Sequence, residues 1–176
     1  MARQEPDRLQ HAWQVHTAVQ SWTNQAETKA TFLLTIESAL LVFFGTRFGD
    51  PDLLDGLTDF ETNIASLLIL LGLICLFGGI VSLVEVVYPR LREKDMEKEK
   101  WNNAIYFGHL AGQDPKAIEN TLRRRDPLEQ LARQLRAMGD IALTKHRALK
   151  ASIQVAGFGV TLILVTLLGA AFLSTI

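Results

Sequence analysis

One ionisable side chain, Glu37, stands inside a long apolar segment of this sequence. The other polar side chains between Ala30 and Thr46 are hydroxyls. A carboxylate in the middle of a membrane-spanning helix costs about 2.5–3.5 kcal/mol on insertion scales, so Glu37 should face protein or water rather than lipid. It would either line a cavity or subunit interface that takes part in opening, or join helices through a hydrogen bond, for example to Ser66 or Ser82.

The sequence holds no arrangement of residues typical of an enzyme active site or a metal centre. There is no Ser/His/Asp or Cys/His set, no glycine-rich phosphate loop and no spacing of metal ligands. The single cysteine, Cys75, lies in an apolar run, so no disulfide framework can form within one chain. The net charge of -1 gives no overall field that would attract nucleic acid. We therefore expect neither catalysis nor a metal nor a nucleic-acid partner.

Three segments are apolar enough to cross a bilayer, which requires about 20 apolar residues for about 30 Å of hydrocarbon. Residues 153–176 carry no charge, and residues 63–88 carry one acidic residue near their end, Glu85. Residues 30–48 form the shortest segment, for which a buried core helix is the alternative. The sequence thus predicts an all-α integral membrane protein whose three transmembrane helices continue into a cytoplasmic helical bundle.

The distribution of charge supports three spans and gives them a direction. The stretch from Pro89 to Lys150 holds 14 of the 18 lysine and arginine residues, so the positive-inside rule assigns it to the cytoplasm. The N-terminus lacks an apolar stretch that would form a cleavable signal peptide. The predicted regions are a cytoplasmic amphipathic helix (1–29), transmembrane helix 1 (30–48), an acidic periplasmic loop (49–62), transmembrane helix 2 (63–88), a cytoplasmic helical region (89–152) and transmembrane helix 3 (153–176).

Local signals predict how the polar helices begin and end. The amphipathic helix over 7–29 has no Gly or Pro, so it should run directly into the first span. The second span should likewise continue as a helix past Pro89. A short helix is expected over 116–122. Asp126 is then the predicted N-cap of a last helix with Pro127 in its first turn, and this helix should continue into the third span.

Several short motifs lie next to or within the predicted spans. They are Trp22, Glu27, Lys29 and Ala30 leading into the sequence TIESALL (35–41), then YFGH (106–109), and then Gln134, Asp140, Lys145 and Arg147. Together they resemble the Pycsar transmembrane effectors, which show W…AD-x-KA…NGALL, FFG and Q…AxIAxxKYRW. Glu27, Glu37 and His146 depart from the usual Asp, Asn and Tyr.

The resemblance implies a bacterial antiphage effector. A partner cyclase would make cyclic UMP or cyclic CMP on infection. The effector would bind this ligand and impair the inner membrane, which causes abortive infection. No other cofactor is implied.

Such a ligand offers a phosphodiester, a ribose and a flat base, and a site for it needs a cation or helix N-terminus, a stacking ring and an amide. The predicted ligand-binding residues are Trp22, Lys29, Trp101, Asn103, Phe107, Arg123, Arg124, Arg125, Lys145 and Arg147. Structural roles are the alternatives. The tryptophans would pack, the arginines would form a solvated turn, and the residues at the membrane boundary would snorkel toward headgroups.

Small residues in the second and third spans permit close helix contacts, so we expect a homo-oligomer. They are Gly72, Gly78, Gly79, Ser82, Gly157, Gly159, Gly169 and Ala170. Three helices enclose no wide pore, so a sizeable membrane lesion requires several subunits. The alternative functions are a constitutive small channel or holin-like pore, and a membrane anchor for a cytoplasmic partner. The long helical insert between spans two and three argues against a bare pore former.

Overall fold

The structure, a computed structural model, consists of helices in the part of the chain that it describes. This part comprises residues 4–48, 50, 59–88, 105, 110, 113–124 and 126–173. Its helices are α1 (Gln4–Phe48), α2 (Asp59–Val87), α3 (Pro115–Arg124) and α4 (Pro127–Leu173). No strand occurs among these residues, and α1, α2 and α4 each contain a stretch that is long and apolar enough to cross a membrane. The predicted all-α class with three spans is confirmed.

Short polar side chains fix the N-termini of α3 and α4. The backbone N–H of Leu128 donates to Asp126 Oδ1 at 2.9 Å, and α4 begins at Pro127, as the sequence predicts. Asp114 does the same for α3, because the N–H of Lys116 donates to its Oδ2 at 3.2 Å. Each carboxylate satisfies an amide in the first turn that has no partner within the helix.

The prediction that α2 continues without a break past Pro89 is wrong. The helix ends at Val87, and the N–H of Tyr88 makes the last bond of its ladder to Val84 O at 2.8 Å. A proline disfavours the helical conformation of the residue before it, which accounts for an end at this place. The predicted continuation beyond Pro89 otherwise lies outside the described residues.

By contrast, α1 and α4 are long and uninterrupted, with 45 and 47 residues. At a rise of about 1.5 Å per residue, each is more than twice as long as the ~30 Å hydrocarbon layer. The expectation that polar helices run directly into spans one and three is thus met. Gly139 does not interrupt α4, because one glycine costs a helix only about 1 kcal/mol.

The chain divides into two compact units. One comprises Met1–Gln25 and Pro89–Thr144, and in it Leu131 is fully buried. The other comprises Ala26–Tyr88 and Lys145–Ile176 and is called here the membrane unit. Two apolar clusters form the core of the membrane unit. The Ala30 cluster consists of Ala26, Ala30, Leu83, Val86 and Leu149, and the Leu76 cluster consists of Phe44, Ile69, Leu76, Ala156 and Ile163.

Within the membrane unit, the backbones of α2 and α4 approach each other closely at two glycines. A Cβ atom added at Gly159 would lie 2.6 Å from the carbonyl oxygen of Gly72, and one added at Gly72 would lie 2.9 Å from the carbonyl oxygen of Gly159. No larger residue fits at either place without separating the helices. These two glycines therefore serve a contact within the chain, as small residues commonly do in membrane helix packing.

Candidate functional site

Glu37 lies between the two apolar clusters of the membrane unit, where α1, α2 and α4 meet. Glu37 is only 4% exposed. The hydroxyl of Ser152 on α4 donates a hydrogen bond to Glu37 Oε1 at 2.8 Å. The carboxylate therefore faces protein, as expected for a polar group in a spanning helix.

The absence of a side chain on α2 makes room for this carboxylate. A Cβ atom added at Gly79 would lie 2.7 Å from Glu37 Oε2 and 2.8 Å from the Cβ of Ala156. Oε2 is buried and has no hydrogen-bond partner among the described residues. We call the three residues Glu37, Gly79 and Ser152 the polar junction.

The predicted partners of Glu37, Ser66 and Ser82, are wrong. The hydroxyl of Ser82 donates to the carbonyl of Gly78 within its own helix at 3.0 Å. Ser66 lies thirteen residues before Gly79 on the same helix, which is about 20 Å along the helix axis. The partner is instead on α4. Sequence reasoning missed Ser152 because it stands next to the apolar segment as an ordinary polar residue.

A second polar contact joins α1 and α4 at the first residues of the membrane unit. The ammonium group of Lys145 forms an ion pair with Glu27 Oε1. The two side chains differ in exposure, since Lys145 is 6% exposed and Glu27 is 43% exposed. A buried ammonium requires a counter-charge, so the pair holds the two helices together at this level. Lys145, a predicted ligand-binding residue, is thus already occupied by an anion of the chain itself.

The other predicted ligand-binding residues in the described part are exposed. Lys29 and Arg147 lie on the surface of the membrane unit. In the other unit, Arg123 forms an exposed ion pair with Glu119, Nη2 to Oε1 at 2.6 Å, and Arg124 is exposed. Trp101, Asn103, Phe107 and Arg125 lie outside the described residues.

The steps of three and four residues from Val19 to Trp22 and on to Ala26 predict that these side chains share one apolar stripe of α1. The structure buries Val19 and Ala26 but leaves Trp22 56% exposed, so this part of the stripe is wrong. Val19, Ala26 and Ala30 are spaced by seven and four residues and share one helix face. Trp22 stands beside that face, where an indole remains accessible for stacking.

The model of the Pycsar effector protein domain matches residues 11–173 of the chain. The chain belongs to this family. No curated protein and no solved structure matches it significantly. The family assignment makes the protein an antiphage defence effector that resides in a membrane.

The matched range of this Pycsar effector includes the polar contacts described above. It includes the polar junction and the Glu27–Lys145 pair, together with all of α2, α3 and α4 and most of α1. Both polar contacts between α1 and α4 therefore lie in the part of the effector that defines the family. The family also implies a signal in the form of a cyclic nucleotide from a partner cyclase.

Proposed function

We propose that the protein binds a cyclic pyrimidine mononucleotide, cyclic UMP or cyclic CMP, and then impairs the bacterial inner membrane. The observation that carries the proposal is the family match over 11–173 in a chain with three helices able to span a membrane. A partner cyclase supplies the ligand, and abortive infection is the outcome for the cell.

The N-terminus and the region between α2 and α4 face the cytoplasm in this proposal. The support is the charge distribution, since residues 89–150 contain most of the basic side chains. A nucleotide made inside the cell then reaches the polar helices directly. The acidic loop around residues 49–62 faces the periplasm.

Exposed basic and aromatic side chains supply the groups that this ligand needs. Arg124 and Arg123 lie at the C-terminal end of the short helix α3, and Arg124 is open to solvent. Guanidinium groups bind phosphate with directed hydrogen bonds, and the exposed indole of Trp22 offers a stacking surface. Lys29, Lys145 and Arg147 remain proposed contacts at the edge of the membrane unit.

A sizeable membrane lesion made by this protein requires a homo-oligomer, because three helices enclose no wide pore. Two glycines on α4 support such an assembly. Gly157 and Gly169 are exposed, and a Cβ atom at either would meet nothing within 4 Å. They leave space for the close approach of a helix from a second copy, in contrast to Gly159, whose space is filled by α2.

The test is leakage of ions and dye from liposomes that carry the full-length protein, with cyclic UMP, cyclic CMP or cyclic AMP added. We expect leakage with one pyrimidine nucleotide and none with cyclic AMP. Trp22→Ala combined with Arg124→Ala should abolish nucleotide binding. The matched control combines Trp13→Ala with Arg133→Ala, which removes an exposed tryptophan and an exposed arginine that the proposal does not use.

Glu37→Gln separates membrane impairment from ligand recognition. It alters the polar junction in the membrane and should change leakage while the nucleotide affinity stays the same. Loss of both would point to a folding defect. Leakage that is indifferent to all three nucleotides would favour a constitutive channel, and no leakage under any condition would favour a membrane anchor for a cytoplasmic partner.

A further inference from the structure

Besides the two apolar clusters to which all three spans contribute, the membrane unit has two different kinds of contact between its helices. Between α2 and α4 the backbones touch at Gly72 and Gly159, where no water or ligand can enter without separating the helices. In the most apolar 18-residue stretch of α2 and of α4, 28% is buried, against 11% for α1. α1 is thus the least enclosed span, and we call the closely packed α2 and α4 the fixed pair.

Polar groups provide the specific contacts between α1 and α4. Glu27 pairs with Lys145, and Glu37 accepts a hydrogen bond from Ser152. A polar contact can exchange its partner for another group of the same charge, whereas a glycine backbone contact cannot. The α1–α4 contact is therefore the one that a ligand can replace.

The exposure of the two charged side chains decides which partner can be exchanged. The ammonium of Lys145 is almost fully buried, so it must keep an anion beside it. The carboxylate side of the pair is open to solvent, because Glu27 is 43% exposed. An incoming anion can thus approach from the side of Glu27. A phosphodiester carries one negative charge, like the carboxylate, and accepts the same charge-assisted hydrogen bonds.

We propose that Lys145 is an exchange site for a phosphodiester monoanion, which replaces the carboxylate of Glu27 and releases α1 from the pair of α2 and α4. The phosphodiester has two possible sources, a cyclic mononucleotide or the headgroup of a phospholipid with net negative charge at the membrane edge. The first source rests on the proposed function, whereas the site itself does not. Release removes the contact at one end of the Ala30 cluster and leaves the polar junction as the remaining polar contact between α1 and α4.

The release step is tested by distance measurements between spin labels in the full-length protein in lipid nanodiscs. Cys75→Ser removes the native thiol. Labels at Phe32 and Ile153, both exposed, report the distance between α1 and α4. Labels at Leu67 and Val165, also exposed, report the distance between α2 and α4 as the internal reference.

Without any nucleotide, Glu27→Gln should change the α1–α4 distance distribution and leave the α2–α4 distribution unchanged. Glu27→Ala should give the same result. It is included because the glutamine amide could still accept a hydrogen bond from Lys145, whereas alanine cannot. Glu129→Gln is the matched control, because it neutralises an exposed glutamate that pairs with Arg133 within α4. Distributions of Glu27→Gln and Glu27→Ala that both match the wild type would overturn the proposed release.

The identity of the anion is tested with the spin-labelled protein that retains Glu27. One set of nanodiscs contains phosphatidylcholine alone and receives cyclic UMP or cyclic CMP, and the other contains phosphatidylglycerol and receives no nucleotide. A change in the first set assigns the site to the nucleotide, and a change in the second assigns it to the anionic headgroup. If neither changes the α1–α4 distance, exchange at Lys145 is refuted.

The two sources also predict different effects on affinity. If the resting pair is formed nine times in ten, Glu27→Gln should raise the affinity for the effective nucleotide about tenfold, since no competing anion remains. Lys145→Met should abolish this gain in the double variant. A change of the α1–α4 distance with phosphatidylglycerol, together with no nucleotide binding, would support the exchange site at Lys145 and refute the proposed nucleotide function. Failure of the exchange site and failure of the proposed function therefore give different results.

Discussion

Two glycines of α4 that point to different sides of the helix should respond differently to the same substitution. Gly159→Ala places a methyl group 2.6 Å from the carbonyl oxygen of Gly72 and 2.9 Å from the Cβ of Cys75. Gly157→Ala places the same methyl group in open space, two residues earlier. We expect Gly159→Ala to lower the free energy of unfolding of the membrane unit, and Gly157→Ala to leave it unchanged or to raise it.

The distances give the size of this difference. Ordinary van der Waals contact begins at 3.4 Å, so α2 and α4 must separate by about 0.8 Å to admit the methyl group at position 159. Overpacking of this kind costs about 1–3 kcal/mol. Both variants share the gain of about 0.5–1 kcal/mol that alanine has over glycine in a helix. The gain cancels in the comparison, so the two variants should differ by about 1–3 kcal/mol from packing alone.

The assay is unfolding of the full-length protein in mixed micelles with rising SDS, followed by circular dichroism. The free energies of unfolding of the two variants are compared with the wild type under one set of conditions. A Gly159→Ala variant as stable as Gly157→Ala would refute the close backbone approach of α2 and α4. The fixed pair on which the proposed release of α1 depends would then be lost as well.

Two further substitutions test contacts of single side chains. Ser152→Ala should cost about 1–2 kcal/mol of unfolding free energy in the same assay, because it removes the hydrogen bond to buried Glu37. Ser82→Ala should cost almost nothing, since that hydroxyl bonds only to a carbonyl of its own helix, and equal effects of the two would contradict the polar junction. Asp126→Ala should cost about 1 kcal/mol and speed amide hydrogen exchange in the first turn of α4, whereas Asp126→Asn keeps the cap. Unchanged exchange in the alanine variant would show that the cap contributes nothing.

Much of the fold follows from local properties of the sequence. The second and third spans are predicted by long apolar segments with almost no charged residues. The lack of helix breakers predicts that α1 and α4 run on as single helices. Asp126 and Pro127 predict the start of α4 because a cap acts on the helix that follows it directly. The end of α2 at Val87 was available from the same kind of rule, since Pro89 disfavours helix at Tyr88.

The candidate site depended more strongly on tertiary structure. The sequence showed that Glu37 must avoid lipid, because the cost of a carboxylate in hydrocarbon depends only on its place within the span. It did not show that Ser152 is the partner, because 115 residues separate the two and only the packing of α1 on α4 brings them together. The exposure of Trp22 was missed for a related reason, since periodicity defines a stripe but not its edges.

The sequence by itself determined the family, the helical class, the number of spans and the need of Glu37 for a protein or water environment. These properties arise from the apolar length, from the charge of each segment and from motifs in order along the chain. Only the tertiary structure decided that α2 and α4 approach closely at Gly72 and Gly159, and that Glu27 forms an ion pair with Lys145. The rotation and register of packed helices select such partners, and these quantities depend on all three helices together.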